Sequence, residues 1–187
     1  MTLTPSNAGW IELICGSMFS GKTEELIRRI VRAQIAKQKT AIFKPQLDDR
    51  YSSENIVSHN NRKIKSIIIA SPLEIPNLIE DATVIGIDEA QFFDDDLINV
   101  CKELTLKNIR IILAGLEKDY LGKPFGPMPK LMVEAEYVTK VLAICVICGN
   151  PANFSYRLSS ESSQILVGET DKYEARCRSC FYHKGVN

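Results

Sequence analysis

The chain has 187 residues, about one ordinary domain and enough to bury a real core. Hydrophobic residues make up 45% of it and charged residues 25%, the balance of a water-soluble globular protein. Formal net charge is zero and the isoelectric point is near 6.7, which argues against a nucleic-acid or membrane partner held by bulk electrostatics. The longest apolar runs, such as Ile67–Ala70 and Ile111–Ala114, are far too short to span a bilayer. The opening "MTLTPSNAGW" has neither a basic flank nor an apolar stretch, so no signal peptide is expected and the cytoplasm is the expected location.

In chain order, "WIELIC" predicts a first strand, and "TEELIRRIVRAQIAKQ" a helix with apolar residues at 26, 27, 30, 31 and 35. "TAIFK" predicts a short strand ended by Pro45. From Gln46 to Lys65 the chain is polar and turn-rich, too long for an idle connection and therefore functional or mobile in expectation. "SIIIA" follows as a strand, "SPLEIPNLIED" as a short helix, "TVIGID" as a strand, "DLINVCKELTLKN" as a helix and "IRIILAGL" as a strand. Ile- and Val-rich strands alternating with helices predict an α/β fold whose parallel sheet is covered on both faces. After about Lys140 the sequence changes to cysteines, turn residues and short β-type runs. Two domains are therefore expected, over residues 1–140 and 141–187.

Gly16-Ser17-Met18-Phe19-Ser20-Gly21-Lys22-Thr23 fits G-x-x-x-x-G-K-[ST] and lies between a strand and a helix. Its glycines let backbone N–H groups approach phosphate oxygens, and the following helix N-terminus adds partial positive charge. Lys22 can reach the β- and γ-phosphates of a nucleoside triphosphate such as ATP, and Thr23 can ligate Mg²⁺. A tight turn matching the pattern by chance is the plain alternative. "TVIGID" delivers Asp88 to the carboxyl end of its strand, the edge where open α/β sheets bind ligands. An acid there holds Mg²⁺, and Glu89, one residue on, can accept a proton from the attacking nucleophile. The neighbouring run Asp94-Asp95-Asp96 reads as a solvated turn. The nucleophile is either water, giving a hydrolase, or a substrate hydroxyl, giving a kinase; these motifs do not decide.

Six cysteines are present. Cys15 and Cys101 stand alone in apolar context and read as buried thiols. Cys145-Val-Ile-Cys148 and Cys177-Arg-Ser-Cys180 are separated by 28 residues, 149 to 176, and together can complete a closed, structural Zn²⁺ site of four thiolates. Redox use of the pairs is the competing reading, and His183 the only plausible substitute ligand. His59 reads as a hydrogen-bonding loop residue. The residues between the pairs form a loop pinned at both ends, able to lie over a ligand at small entropic cost.

"GSMFSGKTEELIRR", "KPQLDDRYSS", "VIGIDEAQFF", "KPFGPMPKL" and the paired C-x-x-C with "DKYEARC" resemble, in order, the type II, zinc-containing thymidine kinases. The resemblance covers nearly the whole chain. It implies transfer of the γ-phosphate of ATP to the 5′-hydroxyl of thymidine, with Glu89 as the base and Arg50 contacting the 5′ oxygen and the moving phosphoryl group. Asp48 would lie near the metal. Met18, Phe92, Leu116, Tyr120 and Phe125 would enclose base and sugar. The zinc-pinned loop would be the family's lasso, reading the base through Leu166, Val167 and Gly168, with Tyr173 nearby. The resemblance further implies a homotetramer and inhibition by thymidine triphosphate (dTTP). With the metal expected to leave the phosphate loop untouched, its loss should weaken thymidine binding more than ATP binding. A P-loop ATPase coupling hydrolysis to movement, and a zinc-ribbon module binding nucleic acid, are the two rival readings. The first predicts ATP turnover without a nucleoside, and the second a basic face near the cysteines that Asp171 and Glu174 offset.

Overall fold

The computed structural model describes residues 8–46, 55–57, 63–158 and 172–183. Its centre is a parallel sheet of six strands: Trp10–Cys15 (β1), Thr40–Pro45 (β2), Ile67–Ile69 (β5), Val84–Ile87 (β6), Arg110–Gly115 (β7) and Tyr137–Lys140 (β8), in the order β5-β2-β6-β7-β1-β8. Asn55–Val57 (β3) and Lys63–Lys65 (β4) pair antiparallel as a small separate ribbon within the expected long loop. The helices are Lys22–Ile35 (α1), Ile75–Leu78 (α2), Asp96–Leu106 (α3) and Met128–Glu134 (α4).

Strand alternation sorts the core into two layers. On one face Ile14, Ile42, Val84, Ile112 and Ala114 meet Leu26, Ile27, Ile30 and Ala33 of α1. On the other, Leu13, Cys15, Phe43, Ile85, Ile87, Ile111 and Leu113 meet Leu97, Cys101 and Leu104 of α3 and Met128 and Leu131 of α4. Gly86 lets α1 approach β6: a Cβ there would stand 3.1 Å from Ile30 Cδ1. Cys15 and Cys101 are free and buried, as their apolar context requires, and burial pushes the Cys101 thiol up to about 12.

Local differences from the sequence reading have simple causes. The first helix stops at Ile35, which is 77% exposed rather than part of the apolar face; the stripe rotates onto Ala33 instead. Pro45 is the last residue of β2 rather than the residue after it, paired with Ile69, while Gln46 N donates to Ile69 O at 2.9 Å. The segment after Ser71 begins as a 3-10 turn, Pro72–Glu74, before α2. α4 and β8 have no counterpart in the sequence reading. β8 carries only Tyr137 and Val138 as large apolar residues, and edge strands need less apolar character than central ones.

Beyond β8 come Ala143–Ile144 (β9) paired with Pro151–Ala152 (β10), Phe154–Arg157 (β11) paired with Tyr173–Arg176 (β12), and a short helix Arg178–Tyr182 (α5). No helix among the described residues is long and apolar enough to cross a membrane.

Candidate active site

β1 ends at Cys15 and the loop Gly16–Gly21 turns directly into α1, with Gly21 at φ +83° as its N-cap. Gly16 is required by close approach: a Cβ would lie 2.3 Å from Val141 O and 2.7 Å from Ser20 Oγ. Within the loop, Ser17 O accepts from Ser20 Oγ at 2.8 Å and from Lys22 Nζ at 2.7 Å, which draws the lysine over the loop backbone. Phe19 adopts a left-handed φ of 64°, unusual for a side chain of its size.

Asp88 leaves the end of β6 toward this loop. Thr23 Oγ1 donates to its carboxylate at 3.2 Å from Oδ2 and 3.4 Å from Oδ1, and Glu89 N donates to Oδ1 at 3.0 Å. Burial and then the neighbouring Glu89 charge push the Asp88 carboxyl up to about 7, against the pull of Lys22 and Thr23. Burial lowers the Lys22 ammonium, while Glu89, Asp88 and Glu117 oppose that drop. Two adjacent carboxylates, one of them buried, beside a threonine hydroxyl form a hard oxygen donor set of the kind Mg²⁺ takes. The donors present at Thr23 and Asp88 therefore fit that ion.

Glu89 is held at φ 53°, ψ 40°, a conformation costing about 1–3 kcal/mol for a residue with a side chain. Gln91 Nε2 donates to Glu89 Oε2 at 2.5 Å, and Leu116 N donates to Gln91 Oε1 at 2.9 Å. The base candidate is thus tied to the loop after β7. That loop is shaped by Asp119, whose Oδ1 accepts from Leu121 N and Lys123 N at 2.9 Å each, and by Phe125 N donating to Glu117 O at 3.2 Å. Glu117 is itself buried and pairs with Lys140 Nζ at 2.9 Å.

Four of the expected pocket residues fall into two groups, Phe92 with Phe125 and Tyr120 with Tyr173 through Arg157. Phe92 and Phe125 meet edge to face with ring centroids 5.5 Å apart. Tyr120 lies 3.6 Å from the Arg157 guanidinium, which donates to Tyr173 Oη at 2.7 and 3.1 Å from its two nitrogens. Met18 N donates to the buried Ser155 Oγ at 3.0 Å. Asp48, Arg50, His59, Leu166, Val167 and Gly168 lie outside the described residues.

Cys145, Cys148, Cys177 and Cys180 place their sulfurs within 4.8 Å of one another, with Cys148 Sγ and Cys177 Sγ 3.6 Å apart. Four thiolates on Zn²⁺ at about 2.3 Å stand roughly 3.8 Å from each other, so the spacing suits that ion. Asn150 Nδ2 donates to Cys148 Sγ at 3.4 Å and Cys180 N to Cys177 Sγ at 3.5 Å, the outer contacts that orient metal-bound sulfur. His183 is not among the four.

One expectation is corrected. The cysteine module does touch the phosphate loop: Phe19 packs against the cluster of Ala143, Cys145, Ala152, Ala175 and Cys177, and Ser17 Oγ donates to Ala152 O at 3.3 Å. Sequence reasoning had no signal for Ser155 or Arg157, which look like ordinary strand residues. Gln91 did leave one, a lone amide inside the otherwise apolar "AQFF".

A family model described as thymidine kinase matches residues 9–181. A protein of Rhodothermus sp. named thymidine kinase is 54% identical over 175 residues, covering 94% of this chain and 82% of its own length. Those of Bacteroides thetaiotaomicron and Bacteroides fragilis, named likewise, are 55% and 53% identical over 173 residues, covering 92% of this chain and 87% of their own. The match runs from β1 through the phosphate loop and the acidic pair to both cysteine pairs, and the chain belongs to the thymidine kinase family.

Proposed function

We propose that the protein transfers the γ-phosphate of ATP to the 5′-hydroxyl of thymidine, giving thymidine monophosphate and ADP. The observation that carries this reading is the convergence of Lys22, Thr23, Asp88 and Glu89 at the carboxyl end of one sheet in a chain of this family. The bond from the γ-phosphorus to the β-bridging oxygen breaks, the bond to O5′ forms, and Glu89 takes the hydroxyl proton. Lys22 and the loop N–H groups hold the phosphates, and Arg50 meets the charge of the group in transit. Thr23 and Asp88, with Asp48 near them, would hold Mg²⁺, which would neutralise phosphate charge. Met18, Phe92, Leu116, Tyr120 and Phe125 enclose the nucleoside, and Leu166 to Gly168 with Tyr173 close over it, excluding water that would otherwise hydrolyse the nucleotide.

The four cysteines hold a structural Zn²⁺ that pins this covering segment, and residues 1–140 and 141–187 act as catalytic and covering parts. The enzyme works in the cytoplasm as a homotetramer. Thymidine triphosphate carries the acceptor's base and the donor's phosphates in one molecule, so it would occupy both halves of the crevice and inhibit competitively with thymidine.

ATP consumption with a panel of nucleosides, and with none, tests the reading. Turnover that depends on thymidine is expected. Equal turnover without any nucleoside would favour an ATPase instead.

A further inference from the structure

Gln91 joins two features assigned above to different tasks: the carboxylate of Glu89 and the loop that carries Leu116. It is 2% exposed, and its amide has one orientation that satisfies both neighbours. Nε2 must face the Glu89 carboxylate, which only accepts, and Oε1 must face the Leu116 N–H, which only donates. Among the described residues it supplies the one hydrogen bond to the Glu89 side chain, on Oε2, and it leaves Oε1 open to a substrate hydroxyl.

Two glycines make room for this residue, one against its amide and one against its backbone. A Cβ at Gly115 would stand 2.8 Å from Gln91 Oε1 and 2.7 Å from Met128 Sδ. A Cβ at Gly126 would stand 2.2 Å from the Gln91 carbonyl oxygen, and Gly126 also sits at φ +50°. The strand end before Leu116 and the turn after Phe125 are therefore both reduced to glycine where they meet Gln91. A buried amide satisfied at both ends in a tight cradle has a fixed position.

We infer that Gln91 is the positioning residue of the catalytic base: it holds one oxygen of Glu89 so that the other faces the 5′-hydroxyl, and it registers that oxygen against the Leu116 wall of the nucleoside pocket. The role is needed because Glu89 is half-buried on a left-handed backbone, with no other hydrogen bond to its side chain among the described residues. A carboxylate free to swing by an ångström loses much of its value as a base. This inference rests on the proposed phosphoryl transfer with Glu89 as base.

The test is a mutant cycle. Gln91→Met removes both hydrogen bonds. The isosteric Gln91→Glu keeps the volume and the acceptor for Leu116 N–H but sets a second carboxyl beside Glu89, so its folding is checked by thermal melting and its kcat is read at high pH, where both carboxyls are ionised and the donor is lost. Each is made in the parent and in a Glu89→Ala background, with kcat, KM for thymidine and ATP, and thymidine affinity by calorimetry. In the parent, kcat should fall by about tenfold to a hundredfold, with both KM values and the calorimetric affinity within about threefold. In the Glu89→Ala background, the same substitutions should change kcat by less than about twofold, because nothing remains to be positioned. Equal losses in both backgrounds, or a raised KM with kcat intact, or unchanged kcat in the parent, would overturn the role of Gln91. Unchanged kcat in Glu89→Ala alone would instead overturn the assignment of the base.

Discussion

Leu13 and Ile14, on successive positions of β1, are fully buried against opposite layers, each under a helix. In the cysteine module Ile144 is 67% exposed, Val146 and Ile147 are also mostly exposed, and the buried cluster around the sulfurs is three alanines and two cysteines, with Phe154 and Tyr173 buried outside that cluster. The sheet is held by apolar area removed from water. A module of this size buries little such area, so a metal on the sulfurs would add what its few buried side chains do not. Phe19 connects the two regimes, since the phosphate loop of the first region rests on the core of the second.

The largest effect should come from breaking the sulfur cluster. The unaltered protein should carry one equivalent of zinc by atomic emission, and Cys177→Ser or prolonged chelation should abolish it and open residues 141–187 to limited proteolysis. Structural zinc sites of this kind are worth about 10–16 kcal/mol of apparent binding energy. Because Phe19 leans on the module, KM for ATP should rise along with KM for thymidine. A rise confined to thymidine would mean that the loop holds its shape alone.

A smaller effect sharpens the contrast in packing. Leu13→Ala should lower the unfolding free energy by about 2–5 kcal/mol in urea melts, through lost transfer energy and a cavity between layers. Ile144→Ala should cost less than about 0.5 kcal/mol. Similar losses would show that Ile144 is covered rather than exposed in solution.

Lys22→Ala probes where the two regions divide the ligand. Affinity for thymidine triphosphate should fall about tenfold or more, the loss of one charge-assisted contact, while thymidine affinity stays within about threefold. Equal losses in a binding titration, or inhibition that excess thymidine does not relieve, would place the inhibitor elsewhere.

The smallest effect concerns the outside of the sheet domain. Hydrogen bonds from Arg28 and then Arg29 outweigh partial burial and hold Glu25 at about 2, below its ordinary 4.5. A carboxylate depressed in the folded state adds stability above its unfolded pKa, and that stability is lost as pH falls from about 4.5 through about 2. Glu25→Gln should therefore cost a fraction of a kcal/mol near neutrality, about the scale of helix ion pairs, and nothing once pH is well below about 2. A constant difference across that range would rule out the ion pair as its source.

Residue pattern alone was enough for the α/β class, the strand-loop-helix around Lys22, the acidic pair after an apolar strand, and the doubled cysteine pairs. Each of these is local: hydrophobic period reports burial of a strand or helix, and phosphate loops and thiolate knuckles need particular residues within a few positions of one another. The order β5-β2-β6-β7-β1-β8 was not legible, because parallel strands are interchangeable to any rule that reads one segment at a time. β8 and α4 escaped for a related reason: Tyr137–Lys140 becomes a strand by pairing with Glu12–Cys15, not by its own composition. Gln91 reaches Leu116, Ser155 reaches Met18 and Phe19 reaches the cluster around Cys145 and Cys177 across separations that only packing closes. The chemistry could be written in short motifs because reacting atoms need specific side chains. The support that aims those side chains was decided by tertiary structure, since a hydrogen bond between distant residues leaves no spacing to read.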